Sequence, residues 1–188
     1  ARAALDTAGA SSTPFWLTEN GWPTALGGTT EDQQADYIIR SYALAFANGA
    51  ERYYYYDLLN DGTDPTNNEH NFGLMRRAAE GVKASSPKPA LVSMATMIRQ
   101  LEHKPYAGTD SIGAAAHSIQ FGTPSNLTRV IWAENGTTAD IQVNATGTVT
   151  VTDRFGAIQQ LNPVDGVVQL TIDEHPIFLS GPVTSVEE

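Results

Sequence analysis

The chain has 188 residues, with 11 Lys and Arg against 21 Asp and Glu and a net charge of −10, which is length enough for one large domain or two small ones with a real core. The clustered Lys and Arg that phosphate binding needs are missing, so a nucleic-acid partner is excluded and a neutral substrate is expected. There is no cysteine, which excludes disulfides and thiolate chemistry, and no apolar run approaches the roughly 20 residues of a membrane helix.

Residues 1–10 read as the tail of a helix whose beginning lies upstream, and they lack the basic-then-apolar order of a signal peptide. Pro14-Phe15-Trp16-Leu17-Thr18 is an apolar run too short for a helix and is read as a buried strand, closed by Glu19-Asn20-Gly21. A polar loop leads to Thr30-Glu31-Asp32-Gln33, which fits a capping box and predicts a helix start. Ile38, Ile39, Tyr42, Ala43 and Phe46 recur on one face of that helix, and Gly49 after Asn48 ends it. Arg52 to Asp57, dense in tyrosine, predicts a second strand that runs into the loop Asn60 to Pro65. Leu91, Met94, Ala95, Ile98 and Leu101 predict a helix entered after Pro87 and Pro89. This alternation of strand and helix implies a parallel sheet covered by helices.

Composition shifts at residues 104–113, where Lys104-Pro105-Tyr106-Ala107-Gly108-Thr109-Asp110 is read as the boundary between an α/β region, 1–104, and an all-β region, 105–188. Short strands are expected over 118–121, 128–133, 139–143, 148–152, 167–172 and 176–179, with turns at Asn135-Gly136 and Asp165-Gly166, as in an antiparallel β-sandwich.

A carboxylate at the end of a barrel strand is held rigidly and points into the open face where barrel enzymes carry out their chemistry. Glu19 fits that placement. The segment Phe15-Trp16-Leu17-Thr18-Glu19-Asn20-Gly21-Trp22-Pro23-Thr24 resembles the strand-seven nucleophile motif of the clan A glycoside hydrolases, in which an apolar strand ends in Thr-Glu-x-Gly-Trp. Tyr55-Tyr56-Asp57-Leu58-Leu59-Asn60-Asp61-Gly62, then Asn71-Phe72-Gly73-Leu74 and Pro87-Lys88-Pro89-Ala90, resemble strand eight with its loop and helix, particularly in members related to β-xylosidases and cellulases. Residues 105–188 are similar to the small β-sandwich that several families of the clan append.

The resemblance implies the last two β/α units of a TIM barrel followed by a small antiparallel β-sandwich. It also implies a retaining double displacement with Glu19 as nucleophile and no cofactor. The acid/base glutamate follows an Asn at the end of strand four, upstream of residue 1. The fragment alone is then expected to be inactive, with barrel edges that need the missing N-terminal part of the barrel. A carbohydrate substrate and a secreted parent follow from family habit and acidic composition, whereas sugar, linkage, and exo or endo action stay open.

Each candidate has a plainer alternative. Tyr55 or Tyr56 is expected to supply a sugar-stacking platform where the clan often has Trp, with Tyr55 favoured; core packing is the alternative. Trp22 lines the cleft or packs under the nucleophile loop. Asp57, Asn60, Asp61 and Asp64 invite a calcium site, but their spacing suits a polar turn better. Glu51, at the N-terminal end of its strand, is read as structural, and the four histidines lack metal-ligand spacing. Asn126, Asn135 and Asn144 open acceptor patterns for N-glycosylation. The rival reading of the whole is a noncatalytic carbohydrate-binding or structural sandwich on a degenerate barrel.

Overall fold

A computed structural model describes residues 2–78 and 85–188. The chain forms two compact units, 1–91 and 92–188, with the division inside a helix.

The first unit opens with helix α1 (Arg2–Thr7) and strand β1 (Trp16–Asn20), followed by helix α2 (Glu31–Ala47) and strand β2 (Arg52–Tyr55). β1 and β2 pair in parallel, Trp16 opposite Arg52 and Leu17 opposite Tyr53. α2 begins where the sequence places it: the Thr30 hydroxyl accepts from the Gln33 amide at 3.1 Å, and the Gln33 side chain accepts from the Thr30 amide at 3.0 Å. It ends at Asn48, and Gly49 takes a positive φ of 80° that a side chain would resist. Ala45, Ala50 and Tyr53 are buried together, with Phe15, Leu17, Tyr42, Phe46 and Tyr55 packed on them. That cluster defines the helix-facing side of the two strands. Beyond β2, a 3-10 turn (Asn68–Asn71) precedes β3 (Met75–Arg76), which pairs antiparallel with β4 (Ser86–Pro87).

Helix α3 (Pro89–Leu101) starts on a proline, whose fixed φ and missing N–H suit a first helical position. In the second unit, α3 is linked to the sheet by its Gln100 amide, which donates to the Thr152 hydroxyl at 3.4 Å.

The remaining strands are β5 (Tyr106–Asp110), β6 (Ala116–Thr123), β7 (Asn126–Ala133), β8 (Ala139–Ala145), β9 (Val149–Thr152), β10 (Ile158–Leu161), β11 (Val167–Ile172), β12 (Ile177–Ser180) and β13 (Val183–Glu187). They form a six-stranded sheet, ordered β10-β9-β12-β7-β6-β5, and a three-stranded sheet, β11-β8-β13, with every pairing antiparallel. Ile141, Val143 and Ala145 alternate with exposed or half-buried polar residues along β8, and they share one core with Ile131, Val149, Val168, Leu179 and Val186. At Asp165-Gly166 both residues have positive φ, 51° and 84°, and Val164 and Val167 exchange both backbone hydrogen bonds, so a tight two-residue turn closes there. The segment at the expected boundary contains a strand: Tyr106 to Asp110 pairs with β6 along the sheet edge.

Candidate active site at the C-terminal end of β1 and β2

Between Leu17 and Asn20 on β1 lie two residues, whereas only one separates their partners, Tyr53 and Tyr55, on β2. This one-residue bulge changes which way the strand end faces. Leu17 packs into the helix-side cluster, and Asn20 turns to the same side, donating from Nδ2 to the Tyr53 hydroxyl at 2.7 Å. Thr18 and Glu19, the residues between them, are both exposed. Trp16 and Tyr54, 51% and 47% exposed, lie on the opposite side of the sheet from the core cluster.

Three close approaches hold the strand ends together. The Tyr56 amide donates to the Asn20 carbonyl at 2.9 Å. Gly21 follows, and a Cβ there would overlap the Tyr56 carbonyl oxygen, so only glycine fits. The Thr24 amide donates to the Asn71 carbonyl at 3.0 Å, joining the segment after Glu19 to the loop after β2. The Tyr56–Asp57 peptide is cis.

The two candidate tyrosines face different surroundings. Tyr55 points into the helix-side packing; its hydroxyl accepts from Gln34 Nε2 at 3.0 Å and donates to the Phe72 carbonyl at 3.3 Å, and burial holds its pKa well above that of an ordinary tyrosine. Tyr56 is half-buried, lies edge-on to Phe72 with ring centroids 5.5 Å apart, and donates its hydroxyl to Asp61 Oδ2 at 2.9 Å. By accepting that proton and by its charge, Asp61 pushes the Tyr56 phenol up to about 12. Trp22 is half-buried with its ring 5.6 Å from that of Tyr37, and its carbonyl accepts from Gln34.

Asp57 has one carboxylate oxygen, Oδ1, buried without a hydrogen-bond partner among the described residues. Burial raises its pKa, as does the charge of Asp61, against the opposing pull of Lys88 and Arg77. In the calcium candidate set, Asn60 Oδ1 accepts from Lys88 at 2.9 Å, and Asp64 Oδ1 accepts from the Thr66 amide and hydroxyl. Asp61 Oδ2 accepts from the Tyr56 hydroxyl, so one oxygen of each of Asn60, Asp61 and Asp64 is hydrogen-bonded within the loop region. Glu51 is exposed, with its amide donating to the Phe15 carbonyl at the far end of the strands from Glu19.

Sequence reasoning did not single out Gln34 and Lys88, both fully or almost fully buried at this site. A signal for each existed. Gln34 is a polar residue one turn before Ile38 on the apolar stripe of α2, and Lys88 is a cation between two prolines at the start of α3.

No protein-family model and no curated protein sequence matches the chain. Solved structures do. A family 39 glycoside hydrolase from the gut symbiont Bacteroides cellulosilyticus WH2 is 26% identical with a TM-score of 0.74, over 91% of this chain and 34% of that one. A family 30 endoxylanase from Clostridium papyrosolvens C71 has a TM-score of 0.57 at 9% identity, over 95% and 44%. A family 30 subfamily 8 xylanase from Clostridium acetobutylicum has 0.58 at 10%, over 93% and 44%. The two xylanases are related to the chain by fold alone. The chain spans about a third of the length of the family 39 enzyme. These neighbours are clan A glycoside hydrolases, the clan that the Glu19 and Tyr56 segments resemble.

Proposed function

We propose that this chain, whose structural neighbours are glycoside hydrolases, is the C-terminal part of a retaining β-glycosidase acting on plant-type poly- or oligosaccharides, with Glu19 as nucleophile. The observation that carries the reading is the exposed carboxylate of Glu19 at the C-terminal end of a parallel strand, stitched to the end of a second strand by the Asn20–Tyr56 hydrogen bond. A strand end of that kind is where barrel enzymes place their reacting groups.

In the first step a Glu19 oxygen bonds to the anomeric carbon as the glycosidic bond breaks, and a second glutamate gives its proton to the leaving oxygen. In the second step that glutamate, now a carboxylate, takes a proton from water. The water oxygen bonds to the same carbon and the ester to Glu19 breaks. The second carboxyl group belongs ~5–5.5 Å away, on a barrel strand upstream of residue 1. Of the two candidate tyrosines, the half-buried ring of Tyr56 is the better stacking platform, because the Tyr55 hydroxyl is bound within the packing against α2. The site needs no cofactor, the parent is secreted, and the fragment without its upstream strands is inactive.

The test is hydrolysis of an aryl β-glycoside by the full-length protein. Glu19→Ala is expected to lower kcat/KM by at least ~10³-fold, about 4 kcal/mol of transition-state stabilisation. Undiminished activity in that variant would remove the assignment, and a wild-type protein without activity would leave the noncatalytic sandwich as the better reading.

A further inference from the structure

Lys88 is 1% exposed, yet among the described residues its ammonium has no carboxylate in direct contact. Its three N–H donors meet three oxygens, each at 2.9 Å: Thr24 Oγ1, Asn60 Oδ1 and the Asn71 carbonyl. Donors and acceptors match one for one, which is what makes a buried cation tolerable. Glu31 and Asp57 add longer-range attraction, Arg76 opposes it, and burial pulls the ammonium down to about 8.

Gln34, with no exposed surface, serves the same two segments. Its Nε2 lies 2.9 Å from the Trp22 carbonyl and 3.1 Å from the Phe72 carbonyl, and its Oε1 has no partner among the described residues. The two side chains thus grip neighbouring points: Trp22 and Thr24 after the nucleophile strand, Asn71 and Phe72 after β2.

Both gripped segments bear on the site. Trp22 comes directly after Gly21, which lies against the Tyr56 carbonyl, and Phe72 supports the Tyr56 ring. A slip between the segments would therefore move Glu19 and Tyr56 relative to each other. We propose that Lys88 and Gln34 are positioning residues that clamp the Trp22–Thr24 and Asn71–Phe72 segments together and so set the Glu19–Tyr56 geometry. This rests on the reading of Glu19 as the nucleophile.

The experiment uses the full-length protein and measures kcat, KM, Tm and the rate at which a 2-deoxy-2-fluoro glycoside labels Glu19. Lys88→Met and Gln34→Met are expected to slow both labelling and turnover about tenfold or more with KM nearly unchanged, since a misplacement of ~1 Å can cost ~10²-fold. Because they act on the same segments, the double variant should fall short of the product of the two effects. Should Lys88→Met not fold, Thr24→Val removes one arm and leaves the Asn60 and Asn71 bonds, and a slowing of several-fold is expected. A folded variant with lowered Tm but wild-type labelling and kcat overturns the proposal, because a purely structural clamp would behave that way. Wild-type protein labelled on a different carboxylate overturns the nucleophile assignment, and the proposal with it.

Discussion

Between Glu19 and Trp22 the backbone runs so close to the Tyr56 carbonyl that Gly21 has no room for a methyl group. Backbone on both sides must yield to admit one, which makes Gly21→Ala an overpacking change of about 1–3 kcal/mol. Its effect on turnover should exceed its effect on stability: with the Glu19 end of β1 displaced, kcat should drop about 100-fold while thermal melting still shows a folded protein. Equal and small losses in both would mean that the strand end tolerates movement. The tyrosines give a paired prediction. Tyr56→Ala removes a half-buried ring and should raise KM, lowering kcat/KM roughly tenfold, in line with the energy of aromatic contacts. Tyr55→Phe deletes a hydroxyl bonded within the fold and should lower Tm with kinetics nearly intact. Reversal of the two phenotypes, read from Michaelis curves and melts, would return the platform to Tyr55.

The elements that were legible in the sequence are those specified by local chemistry. Thr30 and Gln33 form the capping box their spacing demands, and Thr30→Ala should cost about 1 kcal/mol, measurable by urea titration as a lower midpoint at unchanged slope. Gly49 and Asp165-Gly166 likewise follow from conformations that few residues accept. What was not legible depends on partners far along the chain. The edge strands β5, β10 and β13 carry Tyr-Ala-Gly-Thr-Asp, Ile-Gln-Gln-Leu and Val-Thr-Ser-Val-Glu, whose mixed polarity gives little alternation to read, and β5 also comes after a Lys-Pro pair typical of linkers. At the proposed site, Glu19 is visible in the sequence as an acid closing an apolar strand. Which of Tyr55 and Tyr56 faces the core was not, since alternation fixes that two neighbours differ without saying which is inside. That parity comes from Tyr53 packing on Tyr42, with ring centroids 4.1 Å apart.

At the scale of the molecule, the buried tyrosines predict an alkaline limit. Burial pushes Tyr42 up to about 12 and raises Tyr53 and Tyr55 as well. An unfolded chain releases those protons near pH ~10 while the fold still holds them, so the stability they contribute is complete below that pH and is lost as pH climbs toward the folded values. Lys88 acts oppositely: lowered to about 8, it releases its proton from the fold before the unfolded chain does, so its contribution to stability rises from there toward the ordinary lysine value. Circular dichroism should show Tm falling above pH ~10, with a smaller fall in Tyr42→Phe. A flat profile would contradict the burial-driven shift. The two parallel strands carry exposed aromatic side chains, Trp16 and Tyr54, on the side away from their core cluster. The proposed upstream strands of the barrel would cover them and bring the second carboxyl group to Glu19. The decisive measurement is peptide mapping by mass spectrometry after the full-length protein reacts with a 2-deoxy-2-fluoro β-glycoside: one sugar covalently attached to Glu19 is expected, and a label on any other residue would contradict the assignment of Glu19 as nucleophile.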